Sequence, residues 1–92
     1  MMIEVMVFEP GKTGELRTID DSLESMQKIV GGYIEMSTIS SRLAAVCNED
    51  GLALRLPANR WGFVGTFFVV GLKSSEYVSL TESDKISLRE RS

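Results

Sequence analysis

Residues 56–72, LPANRWGFVGTFFVVGL, decide the fold, because a proline-punctuated turn runs there into the most apolar segment of the chain. Phe67, Phe68, Val69 and Val70 show no alternation of apolar and polar residues. A continuous apolar run of that kind fits a strand covered on both faces, hence one in the middle of a sheet. The turn before it carries Asn59, Arg60 and Trp61. A buried strand fixes the end of such a turn, and polar loops held by rigid elements are where binding groups sit.

Immediately upstream, residues 43–48 read as a strand, Glu49-Asp50-Gly51 as a tight turn, and residues 52–56 as the partner strand of a hairpin. Alternation assigns Leu52, Leu54 and Leu56 to the core face, with Ala53 and Arg55 opposite. Pro57 cannot donate to a ladder and ends the hairpin. Residues 2–8 form an opening strand, Pro10-Gly11 and Gly14 turn the chain, and residues 15–19 return as an edge strand. Asp20-Asp21-Ser22 opens a helix, with Asp21 as its cap and Glu24 reaching back in a capping box. Leu23, Met26, Ile29 and Val30 make its apolar stripe, and Gly31-Gly32 stops it.

Residues 33–36 are then extended, with Ile34 and Met36 facing one way and Tyr33 and Glu35 the other, and residues 37–41 form a polar loop. Thr81 and Asp84 cap a last helix reaching about Arg91, whose thin apolar face of Ile86 and Leu88 predicts loose docking or a partner. The order is β-β-α-β-β-β-β-α, an α+β fold. It predicts a small mixed, mainly antiparallel sheet of five or six strands, with one helix packed across it and a short C-terminal helix.

Ninety-two residues make a single domain with one small core. With 43% hydrophobic and 25% charged residues the composition is that of a folded globular protein. A net charge of −3 with scattered basic residues argues against nucleic acid as a partner, and equally scattered acids argue against mimicry of DNA. The longest apolar run is too short to span a bilayer and the N-terminal stretch lacks the features of a signal peptide, so the expectation is a cytoplasmic protein. A single cysteine, Cys47, fits a reducing compartment.

Asn59 and Arg60 are the leading candidates for ligand binding. A guanidinium is a planar five-donor fork suited to phosphate or carboxylate, and a neighbouring amide can read a base or sugar edge. The plainer alternative is that Asn59 serves the turn and Arg60 is a solvated rim charge. Tyr33, Glu35 and Arg55, on the non-core side of their strands, could line a concave face with Trp61. Aromatic faces there would stack on nucleobases, with Arg55 or Lys28 holding phosphates. Equally, Tyr33 and Trp61 could complete a second small core or an oligomer interface.

Catalytic chemistry finds little support. Cys47 sits between apolar residues in a chain without histidine, so it reads as a buried structural thiol. One cysteine, no histidine and dispersed carboxylates leave no metal-ligand spacing. Gly62-Phe63-Val64-Gly65 precedes a strand and not a helix, so it cannot cradle phosphate as a glycine-rich loop does. Glu4, Glu35 and Glu49 lack a nucleophile or a second tuned group. The expectation is no enzyme, no cofactor and no metal.

Glu9-Pro10-Gly11, Gly31-Gly32-Tyr33-Ile34-Glu35, Cys47-Asn48-Glu49-Asp50-Gly51, Leu56-Pro57-Ala58-Asn59-Arg60, Gly65-Thr66-Phe67-Phe68-Val69 and Ser79-Leu80-Thr81 form a set of motifs along nearly the whole chain. Together they resemble a family of small single-domain proteins from phages, plasmids and mainly Gram-positive bacteria, known as a domain of unknown function. The resemblance implies a mobile-element accessory gene and carries no catalytic residues. The leading expectation is therefore a binding protein that sequesters a small nucleotide-like signal of host defence, with a pocket completed in a homo-oligomer. The alternative is a protein–protein inhibitor or regulatory adaptor acting on a host protein through Trp61, Tyr33, Phe63 and Arg60.

Overall fold

Phe67, Phe68, Val69 and Val70 are completely buried, as a central strand requires. The computed structural model describes residues 1–91. In chain order its elements are β1 (Met2–Phe8), β2 (Glu15–Asp20), α1 (Leu23–Val30), β3 (Ile34–Ser40), β4 (Leu43–Asn48), β5 (Phe67–Lys73), β6 (Glu76–Val78) and α2 (Glu82–Arg91). The strands form one six-stranded sheet in the order β2-β1-β5-β4-β3, with β6 also paired to β5. Every pairing between these strands is antiparallel, so the expected mixed character is absent among the described residues.

Alternation along the three inner strands divides the core into two layers. Ile3, Val5, Val7, Ala44, Val46, Phe68 and Val70 face α1, which contributes Met26 and Val30. Met6, Phe8, Ala45, Cys47, Phe67 and Val69 face the other way, where Leu80 and Leu88 meet them. Full burial of one such aromatic or aliphatic side chain stabilises the fold by about 1.5–3 kcal/mol.

α1 begins at Ser22, not Asp21: the Ser22 hydroxyl accepts from the Ser25 amide at 3.3 Å, and Asp20 accepts from the Ser22 amide at 3.1 Å. The carboxylate one turn earlier is thus spent supporting the cap. Gly31 ends the helix in the left-handed region, φ 81°, with its amide bonded to Gln27. Leu23, assigned to the apolar stripe, is 56% exposed because it lies at the first position, beyond the sheet.

Two further expectations are corrected. Residues 52–56 are not a strand: Leu54, Arg55 and Leu56 amides bond back to Asp50, Leu52 and Gly51 in consecutive turns, and Arg55 is left-handed at φ 55°. Both edges of β4 are already taken by β3 and β5, so LALRL has no strand to join. Leu52 and Leu54 are consequently 82% and 58% exposed. The supposed loop 37–41 is mostly strand, since β3 continues to Ser40 with a bulge between Thr38 and Ser40. The sixth strand is instead β6, on β5.

The last helix is anchored more firmly than its sparse apolar face suggests. Leu88 is buried, and so are Asp84 and Lys85. Thr81 and Asp84 cap it reciprocally, the Thr81 amide donating to Asp84 at 3.0 Å and the Asp84 amide to the Thr81 hydroxyl at 3.1 Å. Among the described residues no helix is long and apolar enough to cross a membrane.

Candidate functional site

The loop 57–65 is a closed unit. Ala58 and Val64 form a bridge, the Asn59 amide donates to Phe63 at 2.8 Å, and the Gly65 amide donates to Pro57 at 2.6 Å. Asn59 spends its side chain inside this unit. Its Nδ2 donates to the Gly65 carbonyl at 2.7 Å and the Phe8 carbonyl at 3.0 Å, while its Oδ1 accepts from the Arg60 amide at 2.8 Å. Asn59 therefore holds the loop against the end of β1. Arg60 lies over the Phe8 ring, 5.2 Å from its centroid, and donates to the Lys12 carbonyl at 2.8 Å. Its buried Nε has no hydrogen-bond partner among the described residues.

Trp61 completes a single 3-10 turn, Arg60–Gly62, in the left-handed conformation, φ 56° and ψ 28°. Holding a bulky residue there costs about 1–2 kcal/mol. Its ring meets Phe8 edge-on at 5.2 Å and Phe67 at 5.9 Å, and Phe63 packs on Phe67 at 4.7 Å. The indole nonetheless remains 43% exposed. The exposed part borders a groove of about 450 Å³, lined by Trp61, Phe63, Leu43, Leu88 and Ile39 and by the hydroxyl-bearing Ser37, Thr38, Ser40 and Ser87. That volume falls in the range of small-molecule sites. Among the described residues no ionisable side chain lines it.

The other predicted site residues disperse. Glu35 borders a separate hollow of about 140 Å³ beside Cys47, with Phe63 common to both. Tyr33 is 68% exposed, just before β3, and Arg55 lies in the turns after β4. Neither lines the groove. Burial pushes the Cys47 thiol up from its ordinary value, and the charge of Glu35 adds to this, so the sulfur stays protonated and inert. The groove's hydroxyl wall was missed by sequence reasoning because residues 37–41 read as a loop. The alternating Ile34-Glu35-Met36-Ser37, followed by the β-branched Thr38-Ile39, was the signal that extends the strand.

A comparable volume, about 420 Å³, lies on the β1–β2 turn among Glu9, Lys12, Glu15 and Arg17. Those charges pair with one another, Lys12 with Glu9 at 3.2 Å and Arg17 with Glu15 at 2.5 Å, and offer little to a ligand. Among the described residues no three Cys, Asp or Glu side chains converge to hold a metal ion.

The fold and groove define a small antiparallel α+β domain whose best-formed hollow lies between its last helix, an edge strand and an aromatic loop. The chain belongs to the family described as a domain of unknown function (DUF3846), which matches residues 3–91. Neither a curated protein nor a solved structure shows significant similarity to the chain.

Proposed function

We propose that this domain is a non-catalytic binding protein that takes a nucleotide-like ligand in the Trp61 groove. The observation that carries this reading is the pairing of a strained, half-exposed indole with the serines that border the same groove, Ser37, Ser40 and Ser87. A tryptophan face stacks on a planar base, and serine hydroxyls exchange hydrogen bonds with sugar hydroxyls and donate to phosphate oxygens. Asn59 and Arg60 act behind the groove, setting the loop that presents Trp61. The physiological role proposed is that of a phage or mobile-element accessory protein, acting in the host cytoplasm, that sequesters a signal of host defence. Its motif resemblance supports this role.

A thermal-shift series with an adenine-containing cyclic nucleotide tests the reading. Ligand bound to the folded form alone raises the melting temperature in proportion to RT ln(1 + [L]/Kd). The expected result is a rise for the wild type and none for Trp61→Ala. An equal shift in both proteins removes the groove from consideration.

The second reading, an inhibitor or adaptor on a host protein, is favoured by one observation: Tyr33, Leu52 and Leu54 stand 68%, 82% and 58% exposed. Tyr33 and the loop carrying the leucines lie at one end of the sheet, joined by the Glu49 amide donating to the Tyr33 carbonyl. Aromatic and aliphatic anchors of this kind suit a protein partner. That reading predicts no response to any nucleotide and co-purification with a host protein.

A further inference from the structure

β3 is the outermost strand of the sheet, paired on one side only, to β4. In an antiparallel ladder, alternate residues turn their backbone groups toward the neighbour and the rest turn away. The Glu49 amide donates to the Tyr33 carbonyl at 2.8 Å, so that position, and with it Glu35 and Ser37, faces β4. The other side of β4 agrees. Leu72 donates to the Arg42 carbonyl at 2.8 Å, which commits Ala44 and Val46 to β5 and leaves Ala45 and Cys47 for Ser37 and Glu35. The N–H and C=O groups of Ile34, Met36 and Thr38 therefore point outward.

The two edges of the sheet differ in how they are guarded. β2 carries Glu15, Arg17 and Asp20, charges of the kind that discourage an added strand. β3 carries a single charge, Glu35, and neither proline nor lysine. Tyr33, Met36 and Ile39, at or beside this edge, are 68%, 43% and 37% exposed.

We infer that β3 pairs antiparallel with β3 of a second copy of this chain, about a two-fold axis through Met36. In that register Met36 opposes Met36, Ile34 opposes Thr38, and Glu35 opposes Ser37, so each carboxylate meets a hydroxyl. The neighbouring registers are disfavoured. Sliding one copy by two residues one way sets the two Glu35 carboxylates face to face, which is destabilising. Sliding it the other way runs the ladder into the bulge between Thr38 and Ser40.

Because the axis is perpendicular to the sheet, both copies present the same face and their grooves lie side by side. One position beyond the ladder, Tyr33 of the second copy reaches Ile39 at the groove rim. The groove of one chain thus gains an aromatic wall from the other. This pairing deepens the ligand reading without resting on it, since it follows from backbone geometry and charge alone.

Sedimentation equilibrium of the whole chain without nucleotide tests the pairing. The expected mass is twice that of the monomer. Met36→Pro removes the outward amide at the axis, a change that edge positions tolerate, and Met36→Lys opposes two like charges. Both variants are expected to be monomers with unchanged far-UV circular dichroism. Met36→Cys is expected to oxidise to a covalent dimer, because hydrogen-bonded antiparallel pairs bring Cα atoms to about 5.5 Å, within disulfide reach. A monomeric wild type, or a dimer that survives Met36→Lys, overturns the inference; should the proline variant fail to fold, the lysine variant decides. Loss of the nucleotide shift with the dimer intact would refute the ligand alone.

Discussion

Asn59 donates its side-chain amide to the Phe8 carbonyl at 3.0 Å, joining residues 51 positions apart in the chain. The same nitrogen donates to Gly65, so one side chain closes the loop on itself and fastens it to β1. Asn59→Ala leaves two carbonyls without their donor and is expected to cost about 2 kcal/mol, measured by urea unfolding. Asn59→Asp should cost more, since a carboxylate would face both carbonyl oxygens. An unchanged midpoint in both variants would show that the loop is held by other means.

Trp61 is the only tryptophan, so intrinsic fluorescence reports on the groove directly. Nucleotide binding is expected to change its emission through stacking. Among the described residues no cation lines the groove, so affinity should vary little between low and moderate salt, unlike a site built on ion pairs. A steep loss of affinity with salt would place the ligand against Arg60 or Arg55 instead.

Lys85 clasps two carboxylates, Glu4 at 2.6 Å and Glu82 at 3.0 Å. These hydrogen bonds, Glu4 first, raise its pKa above the ordinary 10.5. A group whose folded pKa is raised stabilises fully below its unfolded pKa and loses that contribution as pH rises through the folded one. The difference in melting temperature between wild type and Lys85→Met should therefore be constant near neutrality and shrink above about pH 10.5. A difference that persists at higher pH would assign the effect to packing.

Leu52 and Leu54 test the corrected strand. Exposed as they are, the double substitution to serine should change stability by no more than about 0.5 kcal/mol. Two leucines of a core strand would cost several times as much. Calorimetry separates the cases.

The central strand, α1 and the reciprocal cap of α2 were legible because each depends on local pattern: an unbroken apolar run, a 3.6-residue stripe, a Thr-x-x-Asp spacing. What alternation could not supply was partner availability. LALRL has the period of a strand, yet both edges of β4 were filled by distant segments. Conversely Ser37-Thr38-Ile39-Ser40 looks like a loop and becomes a strand because β4 offers it an edge. The string of elements came out the same only because β6 replaced the misassigned fifth strand. At the site, the type of loop was readable, but the direction of its side chains was not. Asn59 and Arg60 turn inward to Phe8 and Lys12, contacts from the other end of the chain, and only Trp61 looks outward.

One margin of β5 is shared, its first half held by β1 and its second by β6. The segment from β6 through α2 is thus joined to the sheet by a three-residue ladder, the few buried side chains of α2, and polar contacts at its margin: Leu80 and Ser79 with the Glu4 backbone, Lys85 with the Glu4 carboxylate, and Asp84 with Arg42. Such a segment is a natural unit of partial opening, with amides that exchange with solvent sooner than those of β1 or β4. Ser87 and Leu88, which close the groove, ride on it. An occupant of the groove would therefore act as a latch, slowing deuterium uptake along the whole C-terminal flap, including amides it never touches.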